Sequence, residues 1–162
     1  MGGAAMRGSH LIKHWSLTQS TVALSSAEAE LGGICRGTSI SLGLVAVAKD
    51  LGISWDLTVK TDAVAAVGVC KRRGLGKIRH LATADLWIQE RLRRGDFQLL
   101  KVQGHDHVAD ILTKHVDRAT LERHMAGLGL REEQGRAQSA PTLDQTTNML
   151  IRPVSISRLA RR

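Results

Sequence analysis

Aromatic side chains are nearly absent: three Trp, one Phe and no Tyr in 162 residues. The core must therefore be built from Leu, Ile, Val and Ala, and nucleobase stacking on aromatic platforms is excluded as a main theme. Cysteine is equally sparse. Cys35 and Cys70 lie far apart in apolar, helix-like contexts with no Cys or His at metal-ligand spacing, which predicts two buried thiols in a reducing compartment. No run approaches ~18 consecutive apolar residues, so no membrane span is expected. The opening "MGGAAMRGSH" lacks the apolar segment of a secretory signal. The expected setting is intracellular, cytoplasmic or nuclear, with no membrane partner. Acidic residues are also missing early on. Glu28 and Glu30 are the only two among the first 49 residues, and no Asp precedes Asp50.

Basic charge is what the chain has in excess. The formal net charge is +8 and the pI is near 10.3, which favours a polyanionic partner such as nucleic acid. The alternative is charge that serves solubility alone.

Hydrophobic periodicity and turn signals divide the chain into alternating elements. "SHLIKHW" (9–15) and "STVAL" (20–24) read as two short strands joined by "SLTQ". A long helix follows over roughly 26–49, stopped at Gly52. "WDLTVK" (55–60) reads as a strand and "DAVAAVGVCKRRG" as a helix from Asp62 to Gly74. A helix ending at Gly95, a strand in "DFQLLKV", a short helix around "VADILTK" and a last helix over 117–128 complete the series. From about 131 onward the text holds both prolines, much Ser, Thr and Gln, and no periodicity; a disordered basic tail over 131–162 is expected. The order over 1–130 predicts an α/β domain.

The two early carboxylates have different expected jobs. In "SSAEAEL", Ser25 followed three residues later by Glu28 is a capping box, which gives Glu28 a structural role. Glu30 has no such role and lies closer to the apolar stripe of the helix, roughly 60° from its centre against roughly 100° for Glu28. Asp62 follows a strand and opens a helix, where ligand sites gather in open α/β sheets, although an N-cap would also suit it. Asp110, in "HDHVADILTK", sits beside Ile111 and Leu112; its bland reading is a first-turn Asp favoured by the helix dipole. Three carboxylates at a helix, a strand end and a late helix are what a Mg²⁺-dependent nuclease requires, because hard divalent cations take oxygen ligands.

The segments "KHWSLTQSTVALSSAEAEL", "VKTDAVAAV", "IRHLATADLWIQERLRRGDFQLLKV" and "VADILTKHV" closely resemble the RNase H domain at the end of copia-type retrotransposon polyproteins. The resemblance covers about residues 2–130 in order and spacing. It implies an RNase H-like fold, a five-stranded mixed sheet flanked by helices. It also implies hydrolysis of the RNA strand of an RNA–DNA hybrid with two Mg²⁺ ions, in a polyprotein where the domain is fused to reverse transcriptase. Matched residue by residue, the family's catalytic and metal-binding carboxylates fall on Glu30, Asp62 and Asp110. "IRH" matches a basic-His segment and places Arg79 and His80 near substrate, with a purely structural His80 as the alternative.

Arg72, Arg73, Lys77, Arg79 and His80 form the expected nucleic-acid-binding loop, since Lys and Arg contacts to phosphate supply sequence-independent affinity. Arg91, Arg93 and Arg94 fit a solvated helix end instead. His105 lies only five residues before Asp110, closer than the family's mobile product-release His. The family's first catalytic Asp belongs to a first, central strand upstream of what this chain matches. The sequence therefore reads as an incomplete RNase H-like domain that lacks its first strand, and is expected to be inactive alone. The competing readings are a non-catalytic nucleic-acid-binding module and a retroelement remnant with no function.

Overall fold

A computed structural model of the chain describes residues 1–19, 22–74, 86–133 and 135. The chain divides into two compact units, Met1–Arg131 and Glu132–Arg162. Every described helix and strand belongs to the first unit.

The chain opens with an antiparallel hairpin of β1 (Gly2–Arg7) and β2 (His10–Ser16), registered from Gly2 opposite Ser16 to Arg7 opposite His10. Its two-residue turn needs a left-handed first residue, which Gly8 supplies at φ 59°. The strand expected at 9–15 is present as β2, but its partner is β1 and not the strand expected at 20–24. The pairing begins one segment earlier, and residues 22–24 form no strand. "GGAA" carries no strand propensity of its own, so its pairing comes from packing. A Cβ on Gly3 would lie 2.1 Å from the Trp15 ring, so glycine is what lets Trp15 fold across β1. The same ring lies 3.7 Å from the Cβ position of Gly37, which seats the hairpin on the next helix.

That helix is α1 (Ser26–Asp50). Ser25 is its N-cap and its hydroxyl accepts from the Glu28 N–H at 3.2 Å, while the Glu28 carboxylate accepts from the Leu24 N–H at 2.7 Å. The Ser25 half of the expected reciprocal cap is thus built, while the Glu28 carboxylate takes the N–H of Leu24, one residue before the cap. Contrary to expectation, α1 is long and apolar enough to cross a membrane, with a mean hydropathy of 1.5 over its best 18 residues. Gly, Ala, Ser and Thr dilute its apolar runs without adding charge, so a search for unbroken apolar stretches misses it. Here it is the central helix, packed against β1, β3 and α2.

β3 (Thr58–Thr61) leads into α2 (Val64–Lys71); α3 (Trp87–Arg94) leads into β4 (Gln98–Lys101), which lies parallel to β3. Two 3₁₀ turns, Gly104–Asp106 and Val108–Leu112, precede α4 (Arg118–Gly127), which Asp117 caps through the Thr120 N–H. The buried cluster of Leu31, Ile34, Cys35, Ala66, Val69, Cys70, Ile88, Phe97 and Leu99 joins α1, α2, α3 and β4. Burial pushes the Cys70 thiol up to about 11, as expected of an inert thiol. The architecture is mixed helix and strand. Among the described residues the strands form two separate pairs rather than the single five-stranded sheet that the resemblance implies.

Candidate metal and nucleic-acid site

Asp62 stands just beyond the carboxyl end of β3. Its alternative role as a helix cap is not realised: the N-cap of α2 is Ala63, with no side-chain cap, and the Ala63 N–H donates to the Thr61 hydroxyl instead. The Asp62 carboxylate faces the 104–110 segment, where a Cβ on Gly104 would lie 3.6 Å from its Oδ2. Asp110 sits in the Val108–Leu112 turn. Asp62, His107 and Asp110 each present one ligand atom, all within 4.8 Å of one another, although Asp62 and Asp110 are 48 residues apart in sequence.

Asp110 is firmly held. His107 Nδ1 lies 3.0 Å from its Oδ1, and Lys114 Nζ donates to its Oδ2 at 2.9 Å. Burial raises the Asp110 pKa, but hydrogen bonds and charge from His107 and Lys114 outweigh it and hold the carboxyl below its ordinary value. The Asp110 hydrogen bond in turn raises Lys114, with the charges of Asp110, Asp62 and Glu30 adding to it against desolvation. Lys114 is therefore the resident cation of the corner.

Glu30, exposed on the first turns of α1, lines the same cavity as Asp106 and His107, and its charge reaches Lys114. It stands beside the Asp62–His107–Asp110 group and is not one of the three that converge. The sequence reading missed Lys114 and the pairing of His107 with Asp110. Their signal was present in "HDHVADILTK": His107 is three residues before Asp110 and Lys114 four after it, the spacings at which side chains share a helical face. His105 lies outside the cluster, exposed and 3.3 Å from Asp106.

As donors, two carboxylates within reach of one point suit a single hard cation such as Mg²⁺ or Mn²⁺. An imidazole is a poorer ligand for Mg²⁺, so the role that best fits His107 is to orient Asp110. A second ion would need oxygen donors that the converging group does not include.

The basic flank starts at the end of α2. Arg72 is half-buried and Arg73 exposed. Gln89 anchors the chain there: its Oε1 accepts from the Gly74 N–H at 2.9 Å, and its Nε2 donates to the carbonyls of Val69 and Gly74. Lys77, Arg79 and His80 lie outside the described residues. On α3, Arg91 pairs with Asp96 and Arg94 with Glu90, in keeping with the reading of a solvated helix end.

No protein-family model matches the chain, and no solved structure matches it. Two curated relatives from Arabidopsis thaliana do. The chain is 27% identical over 126 residues to the retrovirus-related Pol polyprotein from transposon RE2, and 26% identical over 126 residues to that from transposon RE1. Each match takes in 76% of this chain and 9% of the relative. The chain is thus similar to a short stretch of retrovirus-related Pol polyproteins of transposons and spans under a tenth of their length.

Proposed function

We propose that the chain is a retroelement-derived, RNase H-like domain. In this reading its Asp62–Asp110 corner, with Glu30 beside it, holds a hard divalent cation next to a basic nucleic-acid-binding flank. Residues 1–162 alone do not hydrolyse an RNA–DNA hybrid. The observation that carries the reading is the convergence of Asp62 and Asp110 at the carboxyl end of β3. The similarity to Pol polyproteins of transposons supports the retroelement origin.

Paired Mg²⁺ ions assist phosphodiester cleavage by stabilising the attacking and leaving oxygens. The chain's own contribution is more limited. Asp62 and Asp110 supply oxygens for one ion, His107 fixes the Asp110 carboxylate, and Lys114 balances the corner's charge until a cation arrives. The inactivity follows from that limited donor set.

Calorimetric titration with MnCl₂ should show weak binding that Asp62→Asn abolishes, and purified chain should leave hybrid intact in Mg²⁺. Mn²⁺ binding unchanged in Asp62→Asn would refute the site. Hybrid cleavage lost in Asp62→Asn would keep the site and refute the inactivity. Nucleic-acid binding should weaken steeply with added salt, and neutralising Arg72, Arg73 and Lys77 should flatten that slope.

A second reading, a binding module with no metal role, is favoured by one feature: Lys114 already occupies Asp110 Oδ2. It predicts salt-dependent nucleic-acid binding with no Mn²⁺ binding, even in Lys114→Ala.

A further inference from the structure

Both oxygens of the Asp110 carboxylate are engaged within the chain. His107 Nδ1 lies 3.0 Å from Oδ1, and Lys114 Nζ donates to Oδ2 at 2.9 Å. The two partners are held differently. The His107 side chain is largely covered at 22% exposed, whereas that of Lys114 is 55% exposed. The ammonium can therefore leave Asp110 for water without ending as a buried charge. It is the easier of the two partners to move.

The backbone nevertheless keeps Lys114 within reach. The N–H groups of Thr113 and Lys114 both donate to the Asp110 carbonyl, at 3.0 and 2.8 Å. They close one turn that returns Lys114 to the carboxylate four residues behind it. A group on so short a tether competes at an effective concentration on the order of millimolar. Its charge also meets more than one acid: Asp110, Asp62 and Glu30 all act on Lys114. One ammonium thus serves three carboxylates brought in by the 3₁₀ turn, the end of β3 and α1.

An ion held by Asp62 and Asp110 together has to share the Asp110 carboxylate with that ammonium. Two cations on one carboxylate stand well inside the ~8 Å Debye length of physiological salt, so their repulsion is not screened away. Exchange is favoured because a divalent ion brings two charges where the ammonium brings one. The ion pair that must break is also partly exposed, and such pairs are individually weak.

We propose that Lys114 is a tethered competitor for the cation: its ammonium holds Asp110 until a divalent ion displaces it into solvent, and this displacement sets the affinity of the site. The inference rests on the cation reading proposed above and adds a sign that the reading alone does not contain. A lysine that merely braced the corner would, on removal, loosen Asp110 and weaken cation binding. A competitor does the opposite, and removing its charge strengthens binding.

The test uses the full chain and Mn²⁺ alone. Calorimetric titration should give Lys114→Met a dissociation constant about five- to tenfold lower than that of the native chain, the scale of one partly exposed ion pair. Lys114→Arg, which restores the charge, should lose that gain. Arg118→Met removes an exposed cation that pairs with Glu122 instead, and should bind like the native chain. A Mg²⁺ titration of the native chain followed by NMR needs no variant. The Lys114 ammonium signal should move to the position of a free lysine, with the same midpoint as the Asp110 carboxyl signal. Four results overturn the proposal while the cation site stands: equal Mn²⁺ affinity in the native chain and Lys114→Met; weaker binding in Lys114→Met; an ammonium signal that stays with Asp110 at saturating Mg²⁺; or an equal gain in Arg118→Met, which would reduce the effect to net charge. Absence of Mn²⁺ binding in both the native chain and Lys114→Met would instead refute the cation reading, and this inference with it.

Discussion

The hairpin and the parallel pair are both two-stranded sheets on the same helix, yet they are held by different forces. β3 and β4 are joined through a long crossover and lie against the buried cluster, to which Phe97 and Leu99 contribute directly. The hairpin pairs locally through a two-residue turn and contributes no residue to that cluster. Its apolar side chains are half-covered, Ile12 among them at 42% exposed, and its seat depends on Trp15 fitting over Gly3 and Gly37. An isolated two-stranded hairpin is marginal in water. One side of α1 is therefore a conventional core, and the other is a local structure seated by the Trp15 ring and by the Val108–Leu112 turn.

The widest gap between the two should appear in core truncations. Ile88 is fully buried on α3, and Ile88→Ala should cost about 2–5 kcal/mol by the transfer and cavity terms together. Ile12→Ala should stay within about 0.5–1 kcal/mol, because its side chain is already partly in water. Urea denaturation of the two variants measures both. Equal losses would mean that the hairpin is part of the core after all.

Gly3→Val addresses the attachment itself. A Cβ 2.1 Å from the Trp15 ring forces the ring off Gly37, at about 1–3 kcal/mol. The expected signature is local: Trp15 reports a more polar environment while the β3 and β4 amides keep their exchange protection. Loss of protection throughout would show that the two regions unfold together.

The same contrast governs what was legible in the sequence. The start of α1 could be read because Ser25 and Glu28 carry their reason locally, and β3, β4 and α4 because hydrophobic pattern and caps agree there. β1 could not, since Gly2, Gly3, Ala4 and Ala5 become a strand only through a tryptophan ten or more residues away. At the candidate site, Asp62 and Asp110 were legible as a strand-end and a late-helix carboxylate, the helix being a 3₁₀ turn in the structure. For His107 and Lys114 the spacing to Asp110 was visible, but not which face of the short 3₁₀ turn meets Asp62. Lys77, Arg79 and His80 lie outside the described residues.

Ser25→Ala should cost about 1 kcal/mol, less than Ile88→Ala and at the low end of Gly3→Val. Because α1 carries both regions, this loss should be shared: hairpin and core amides should exchange faster by the same factor. A change confined to one side would show that the cap steadies only the strand pair nearest to it.

The smallest expected effect concerns the segment that joins the two regions. The Val108–Leu112 turn packs against β1 and α4, and Asp110 holds it through His107 and Lys114. The Asp110 carboxyl is depressed in the folded chain, so its contribution is present above the ordinary carboxylate value of ~3.9 and is lost as pH falls through the lower folded value. Lys114 is raised, so its share is present at neutral pH and is lost only as pH climbs through a value above ~10.4. With Lys114 more than half exposed, the pair should be worth no more than about 1 kcal/mol. In acid, the hairpin amides should therefore loosen before those of β3, and Asp110→Asn should remove that pH dependence while leaving the alkaline side governed by Lys114 weaker but present. If the acid-induced loosening persists unchanged in Asp110→Asn, or begins in β3, the turn is not the element through which the hairpin senses the carboxylate corner.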